Sequence, residues 1–181
     1  MVELFLERDF EPAITPADLV AAWMAGRGCA EIHRVAWRSS LLSLDGHKLL
    51  CHFTAPDAES LRIALRSIDA DSRRLWRSTL HDAPGQGRFT ADSANVVVHR
   101  RFDEPVALGD IQEMEDAGIA CLDVRQVQFV RTYFSADQKR MLCLYRAPDA
   151  ESVREAQRAA GMPMEDVWAF TALLPPEHPP T

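Results

Sequence analysis

The sequence predicts an α+β protein built of two tandem ferredoxin-like domains, each ordered β-α-β-β-α-β with an antiparallel four-stranded sheet. Three observations predict it. One repeat offset runs through the chain, each half alternates strand and helix signals in the same order, and each half places a turn signal between its two middle strands.

The repeat is read first. Ala55-Pro56-Asp57-Ala58-Glu59-Ser60 recurs as Ala147-Pro148-Asp149-Ala150-Glu151-Ser152, 92 residues later. The same offset links Arg8 to Arg100, Phe10 to Phe102, Asp18 to Asp110 and Ala25-Gly26 to Ala117-Gly118. It also links Cys29 to Cys121, Cys51 to Cys143, Arg62 to Arg154 and Trp76 to Trp168. Glu11-Pro12 matches Glu104-Pro105 one residue late, after which the frame returns. Chance punctuation does not hold one offset over a half-chain.

Each copy opens with a strand. In Val2 to Phe10, Leu4, Leu6 and Arg8 share a face, and in Ala94 to Phe102 the run Val96-Val97-Val98 is apolar on both faces, as a strand covered on both sides requires. A helix follows. Thr15 suits the N-cap, Pro16 the first helical position and Asp18 the first turn. Leu19, Ala22, Trp23 and Gly26 then recur at helical spacing, as do Ile111, Met114 and Ala117 before Gly118. Two strands come next, Arg34–Leu42 with His47–Thr54 and Gln126–Phe134 with Arg140–Arg146. Asp45-Gly46 and Asp137-Gln138 are their turns. Asp57 and Asp149 cap the second helices, with Glu59 and Glu151 at the positive helix end. Last strands are expected at Leu75–Leu80 and Val167–Leu174. The expected domains are 1–82 and 95–174, joined by a Pro/Gly-bearing linker at 83–94 and followed by a frayed tail at 175–181. One sheet face of each domain carries no helix, and a bare apolar face seeks a partner. The two copies are therefore expected to pack face to face as a pseudo-symmetric pair.

Composition narrows the function. The chain has 181 residues, 47% hydrophobic and 26% charged, with a formal net charge of −7. A negative protein is not expected to bind nucleic acid, whose phosphates need a basic patch, nor an anionic membrane. No apolar run approaches the ~20 residues that span a bilayer, and no leader is read at the N-terminus, so a cytoplasmic location with four reduced cysteines is expected. The cysteines form no C-x-x-C pair.

Val130-Arg131-Thr132-Tyr133-Phe134 and Met141-Leu142-Cys143-Leu144-Tyr145-Arg146-Ala147-Pro148-Asp149, with Val153-Arg154-Glu155 and Gly161-Met162-Pro163, resemble a short ferredoxin-like family called "nickel-binding protein". The resemblance covers copy two from about Val96 to Leu174. Copy one follows through Leu6-Glu7-Arg8, Trp37-Arg38-Ser39-Ser40 and Cys51 to Asp57. It implies nickel as cofactor. Two departures bear on that. The family's Arg-Glu-His on the second helix is Arg154-Glu155-Ala156 here and Arg62-Ile63-Ala64 in copy one, and the family's first-strand Val-Glu-Arg keeps Glu7 but has His99 in copy two. The missing helix histidine argues against the metal.

The candidate ligand-binding residues are Glu7, His52, His99, Arg131 and Tyr133. His52, His99 and Glu7 are the candidate metal ligands, since nickel favours imidazole nitrogen among others; the alternative for the histidines is cross-strand hydrogen bonding. Glu7-Arg8 and His99-Arg100 lie at matching places, either as a polar cavity floor or as partners for one another. By two-residue spacing Arg131 and Tyr133 share a strand face with Phe129 and Val127, to read a small ligand or to pack at the interface. Cys51, Cys143 and the four tryptophans are expected in the core. No nucleophile–base pattern or phosphate loop occurs. The reading is a soluble, non-enzymatic small-molecule or metal-binding protein, monomeric or homodimeric. The alternatives are a small cavity-based enzyme of the dimeric α+β barrel type and a partner-binding regulatory module.

Overall fold

The structure, a computed structural model, describes residues 1–175. The expected tail and His178 therefore fall almost wholly outside the described residues. Strand β1 (Val2–Asp9) leads into helix α1 (Pro16–Ile32), then β2 (Ala36–Ser43), β3 (Lys48–Ala55), α2 (Ala58–Arg66) and β4 (Leu75–Asp82). The second copy runs β5 (Val96–Arg101), α3 (Leu108–Ala117), α4 (Ile119–Asp123), β6 (Gln128–Ser135), β7 (Arg140–Arg146), α5 (Ala150–Ala159) and β8 (Asp166–Leu173).

The caps form as the residue types dictate. Thr15 accepts from the Asp18 amide while the Asp18 carboxylate accepts from the Thr15 amide, closing a capping box. Asp57 and Asp149 take the Ser60 and Ser152 amides at 2.8 and 2.7 Å. The hairpins turn at matching left-handed positions, Gly46 and Gln138.

Gly26 and Gly118 mark a close approach. A Cβ on Gly26 would stand 2.6 Å from Ile68 Cγ2, and one on Gly118 would stand 2.5 Å from Ala160 Cβ. Ile68 and Ala160 are themselves repeat counterparts just past α2 and α5. The same crossing needs a glycine in both copies, but only the second copy breaks its helix there, into α3 and α4.

The contacts divide the chain into two units. One comprises Met1–Arg77 with the described residues from Thr171, and the other Ser78–Phe170. In the first, β1 pairs antiparallel with β3 (Phe5 opposite His52) and β2 with β3. Its core lies between this sheet and α1 and α2, around Leu4, Leu6, Trp37, Cys51, Phe53, Leu61 and Leu65. In the second, β7 lies between β5 and β6, with Leu142 opposite both His99 and Tyr133. Its core is built on Val96, Val98, Cys143, Tyr145, Val153 and Met162.

The expectation of two separate ferredoxin-like domains with face-to-face sheets is corrected. The strand order β1-β3-β2-β8-β5-β7-β6-β4 closes on itself as one eight-stranded antiparallel barrel. The last strand of copy one is not left as an edge, because Ser78–Asp82 of β4 pairs with Arg131–Ser135 of β6. An open sheet leaves a row of unpaired amides and carbonyls at each edge, and closure satisfies them. Hydrophobic patterning specifies which face of a strand is buried, not which edge it pairs with.

Candidate functional site

Each copy carries polar side chains on the sheet face turned away from its helices. In the first unit β1 points Glu3, Phe5 and Glu7 to that face, and His52 stands opposite Phe5 on β3. His52 is 6% exposed, and its Nε2–H donates to Glu3 Oε2 at 2.5 Å. Phe5 stacks on His52 (5.0 Å between centroids) and on Trp76 (5.2 Å). The Trp76 indole N–H donates to Glu7 Oε1 at 2.7 Å. The result is a continuous row, Glu3–His52–Phe5–Trp76–Glu7, on one unit.

In the second unit the counterpart of Glu7 is His99, and the counterpart of Trp76 is Trp168. Trp168 Nε1 donates to His99 Nε2 at 3.1 Å. That nitrogen therefore holds a lone pair already in use, not the ring proton. Arg131 is closed in by its own neighbours. It pairs with Asp82 Oδ1 at 2.7 Å, donates to the Tyr133 hydroxyl at 3.2 Å, and its guanidinium lies 4.7 Å from the Phe89 ring centre.

The strand-spacing reading of this segment is corrected. A register shift between Phe129 and Arg131 inserts a bulge in β6. Phe129 packs on Tyr145 in the helix-side core, while Arg131 and Tyr133 face the other way. One extra residue reverses side-chain direction. Of the five candidates, Glu7 and His52 are joined through Phe5 and Trp76. His99 and Tyr133 lie across Leu142 from one another on β5 and β6.

Glu3, Trp76, Trp168, Asp82 and Phe89 were not among the candidate site residues, and Trp76 and Trp168 were expected simply in the core. A signal existed for three of them: Glu3 shares the two-residue period of Phe5 and Glu7, and Trp76 and Trp168 are matched by the repeat. Asp82 and Phe89 meet Arg131 only through the fold. Trp23 and Trp37 do lie in the helix-side core, 5.7 Å apart.

The helix-side cores of the two copies differ around the first-strand arginine. In the second unit Arg100 is buried under α3 and α5. It donates to Gln157 Oε1 (2.8 Å), the Tyr145 hydroxyl (3.1 Å) and Pro163 O, with Glu115 at 3.4 Å. Tyr145 in turn donates to Glu115 at 2.8 Å. Burial holds the Glu115 carboxyl above its ordinary value. In the first unit the counterparts of Glu115, Tyr145 and Gln157 are Trp23, Phe53 and Leu65. The counterpart cation, Arg8, lies over the Phe10 ring at 4.6 Å. The space under α1 is a cavity of about 50 Å³ lined by Leu6, Arg8, Trp23, Trp37, Phe53 and Leu65 among others. At its floor Trp37 donates to Ser40 (2.9 Å), and Ser40 donates to Cys51 Sγ (2.9 Å). Burial pushes the Cys51 thiol up to about 11, so it is protonated at neutral pH. Cys29 and Cys121 are half-buried, and all four cysteines are free.

The side chains present do not fit a nickel centre. Among the described residues no three His, Cys, Asp or Glu are grouped to hold a metal ion. His99 Nε2 and Glu7 Oε1 are engaged by indole N–H groups, and His52 Nε2 by Glu3. Ala64 and Ala156, where a helix histidine would stand, are packed into the cores. Among the described residues no helix is long and apolar enough to cross a membrane.

The closed eight-stranded strand order, made of two repeated α+β units, resembles the dimeric α+β barrel fold, here drawn from one polypeptide. The chain belongs to the SCO4226-like family, described as "Nickel responsive protein SCO4226-like", whose sequence model matches residues 5–76 and 96–169. Among solved structures it is similar to SCO4226 from Streptomyces coelicolor A3(2), with 19% identity and a TM-score of 0.37, over 41% of this chain and 91% of that one. It is similar over nearly its whole length to the candidate chlorite dismutase TA0507 (11% identity, TM-score 0.53, 95% and 94% covered). An anthrone oxidase-like protein matches at 14% identity and a TM-score of 0.45, over 97% and 94%. A comparison with curated proteins returns no match.

Proposed function

We propose that the chain is a non-catalytic binding protein, a tandem member of its family in which binding does not run through nickel held by the described side chains. One observation carries this reading. The equivalent first-strand positions, Glu7 and His99, are each engaged by the equivalent indole, Trp76 and Trp168. A metal ligand must offer a free lone pair, and ligands are normally oriented by further hydrogen bonds that leave that lone pair open. Here the hydrogen bond takes the lone pair itself in His99. Membership of the family and the cavity of the first unit support a binding role.

The test is elemental analysis of tag-free protein followed by nickel titration calorimetry. Expected are substoichiometric nickel as purified and no binding tighter than the micromolar range, for the wild type and for His52→Ala/His99→Ala alike. Stoichiometric nickel bound more tightly, and lost in the double variant, would overturn the proposal.

A further inference from the structure

We propose that the cavity under α1 in the first unit is a binding site for a short-chain aliphatic carboxylate, with Arg8 as its anion-recognition residue. The inference goes beyond the binding role above and holds whether or not the protein takes nickel.

The second copy supplies the physical reasoning. There the same cation, Arg100, is satisfied internally by the carboxylate of Glu115, the hydroxyl of Tyr145 and the amide oxygen of Gln157. The first copy has apolar side chains, Trp23, Phe53 and Leu65, in place of these three, and Asp71 at the place of Pro163, whose carbonyl is the fourth acceptor of Arg100, yet it has kept the arginine. Arg8 lines the cavity, and its guanidinium rests on Phe10. The described residues give it no hydrogen-bond acceptor: the neighbouring carboxylate, Asp71, bonds instead to Arg73, which, with a smaller contribution from the charge of Arg8, holds that carboxyl at about 2. Its nearness to the interior is felt at Cys51, whose thiol it pulls down against the stronger effect of burial.

Two further differences leave room. Ala30 and Ala70 line the cavity where the second copy buries Leu122 and Met162. The site is thus apolar-walled with one cation at its margin, the pattern that orients a small amphiphilic ligand. A carboxylate on an aliphatic body would give Arg8 the partner that Arg100 finds in its own chain, in the planar geometry a guanidinium favours. The volume fixes the body. About 50 Å³ is a third of the roughly 150 Å³ that accommodates benzene in an engineered cavity, so a branched or short aliphatic chain is favoured over a ring.

The test uses full-length protein, with isobutyrate as probe and isobutyramide as its neutral counterpart, titrated into the millimolar range and followed by the indole NMR signals. Isobutyrate is expected to shift Trp23 and Trp37 saturably and to leave Trp168 in place. Arg8→Gln should weaken isobutyrate about tenfold, the value of a charge-assisted hydrogen bond, and leave isobutyramide unchanged. Ala70→Met, which imports the second copy's residue, should abolish binding; Ala30→Leu is the second filling variant should the first fail to fold. Absence of saturable shifts with isobutyrate would overturn the site. Equal loss of both probes in Arg8→Gln would overturn the role of Arg8, and full binding in a folded filling variant would overturn the location.

Discussion

Arg100 and Gln157 are joined by a 2.8 Å hydrogen bond inside the second unit, while their repeat counterparts, Arg8 and Leu65, border a cavity. One ancestral position has thus taken opposite solutions in the two copies. Arg100 has no exposed side-chain surface and shares its site with Glu115. Removing one partner of a buried ion pair leaves the other uncompensated, at about 3–5 kcal/mol. Arg100→Ala is therefore expected to destabilise the protein by that order, and Arg8→Ala by less than about 1 kcal/mol, the scale of an exposed cation–π contact. Chemical denaturation of both variants measures the difference, and equal losses would refute the asymmetry.

The two helix crossings should respond differently to a methyl group. At Gly118 the obstacle is Ala160 Cβ, which has no rotamer to turn, whereas at Gly26 it is a methyl of Ile68. Gly118→Ala is expected to cost about 1–3 kcal/mol through overpacking, and Gly26→Ala less. The double variant Gly118→Ala/Ala160→Gly should recover much of the loss. A double variant no more stable than Gly118→Ala alone would show that the cost lies in the backbone, not in this contact.

Asp57 and Asp149 set part of the acid response. Each carboxyl is held below its ordinary value, first by the backbone amide of Ser60 or Ser152 that it accepts. A depressed folded-state pKa means that the unfolded chain binds more protons, so stability is present above the unfolded value of about 3.9 and is lost as pH falls through the folded value. Asparagine caps equally well without titrating. Thermal melts of Asp57→Asn/Asp149→Asn between about pH 5 and pH 2 should fall less steeply than those of the wild type. Parallel curves would mean that the caps contribute nothing to the acid slope.

The repeat and its local grammar were legible in the chain itself. The 92-residue offset links the copies. The caps at Thr15, Asp57 and Asp149 and the turn at Asp45-Gly46 are short-range signals, and each expected strand formed within a few residues of its place, while α4, beyond Gly118, was not read. Pairing the copies residue by residue also exposes the contrast of Arg100 with Arg8, once the structure shows what each touches. The bulge at Phe129–Arg131 gave no such signal, because a single inserted residue changes facing without changing composition. Asp82 and Phe89 could not be read as partners of Arg131, being neighbours only through β4–β6 pairing.

By itself the sequence determined two copies of one α+β unit, their caps and turns, and a core of alternating apolar residues, since hydrophobic period and capping chemistry act over a few residues. Only the tertiary structure decided that the strands close into one barrel and that the first copy keeps a cavity where the second buries an arginine. Edge pairing and side-chain volume are settled by groups distant in sequence, and no local pattern encodes which edge meets which.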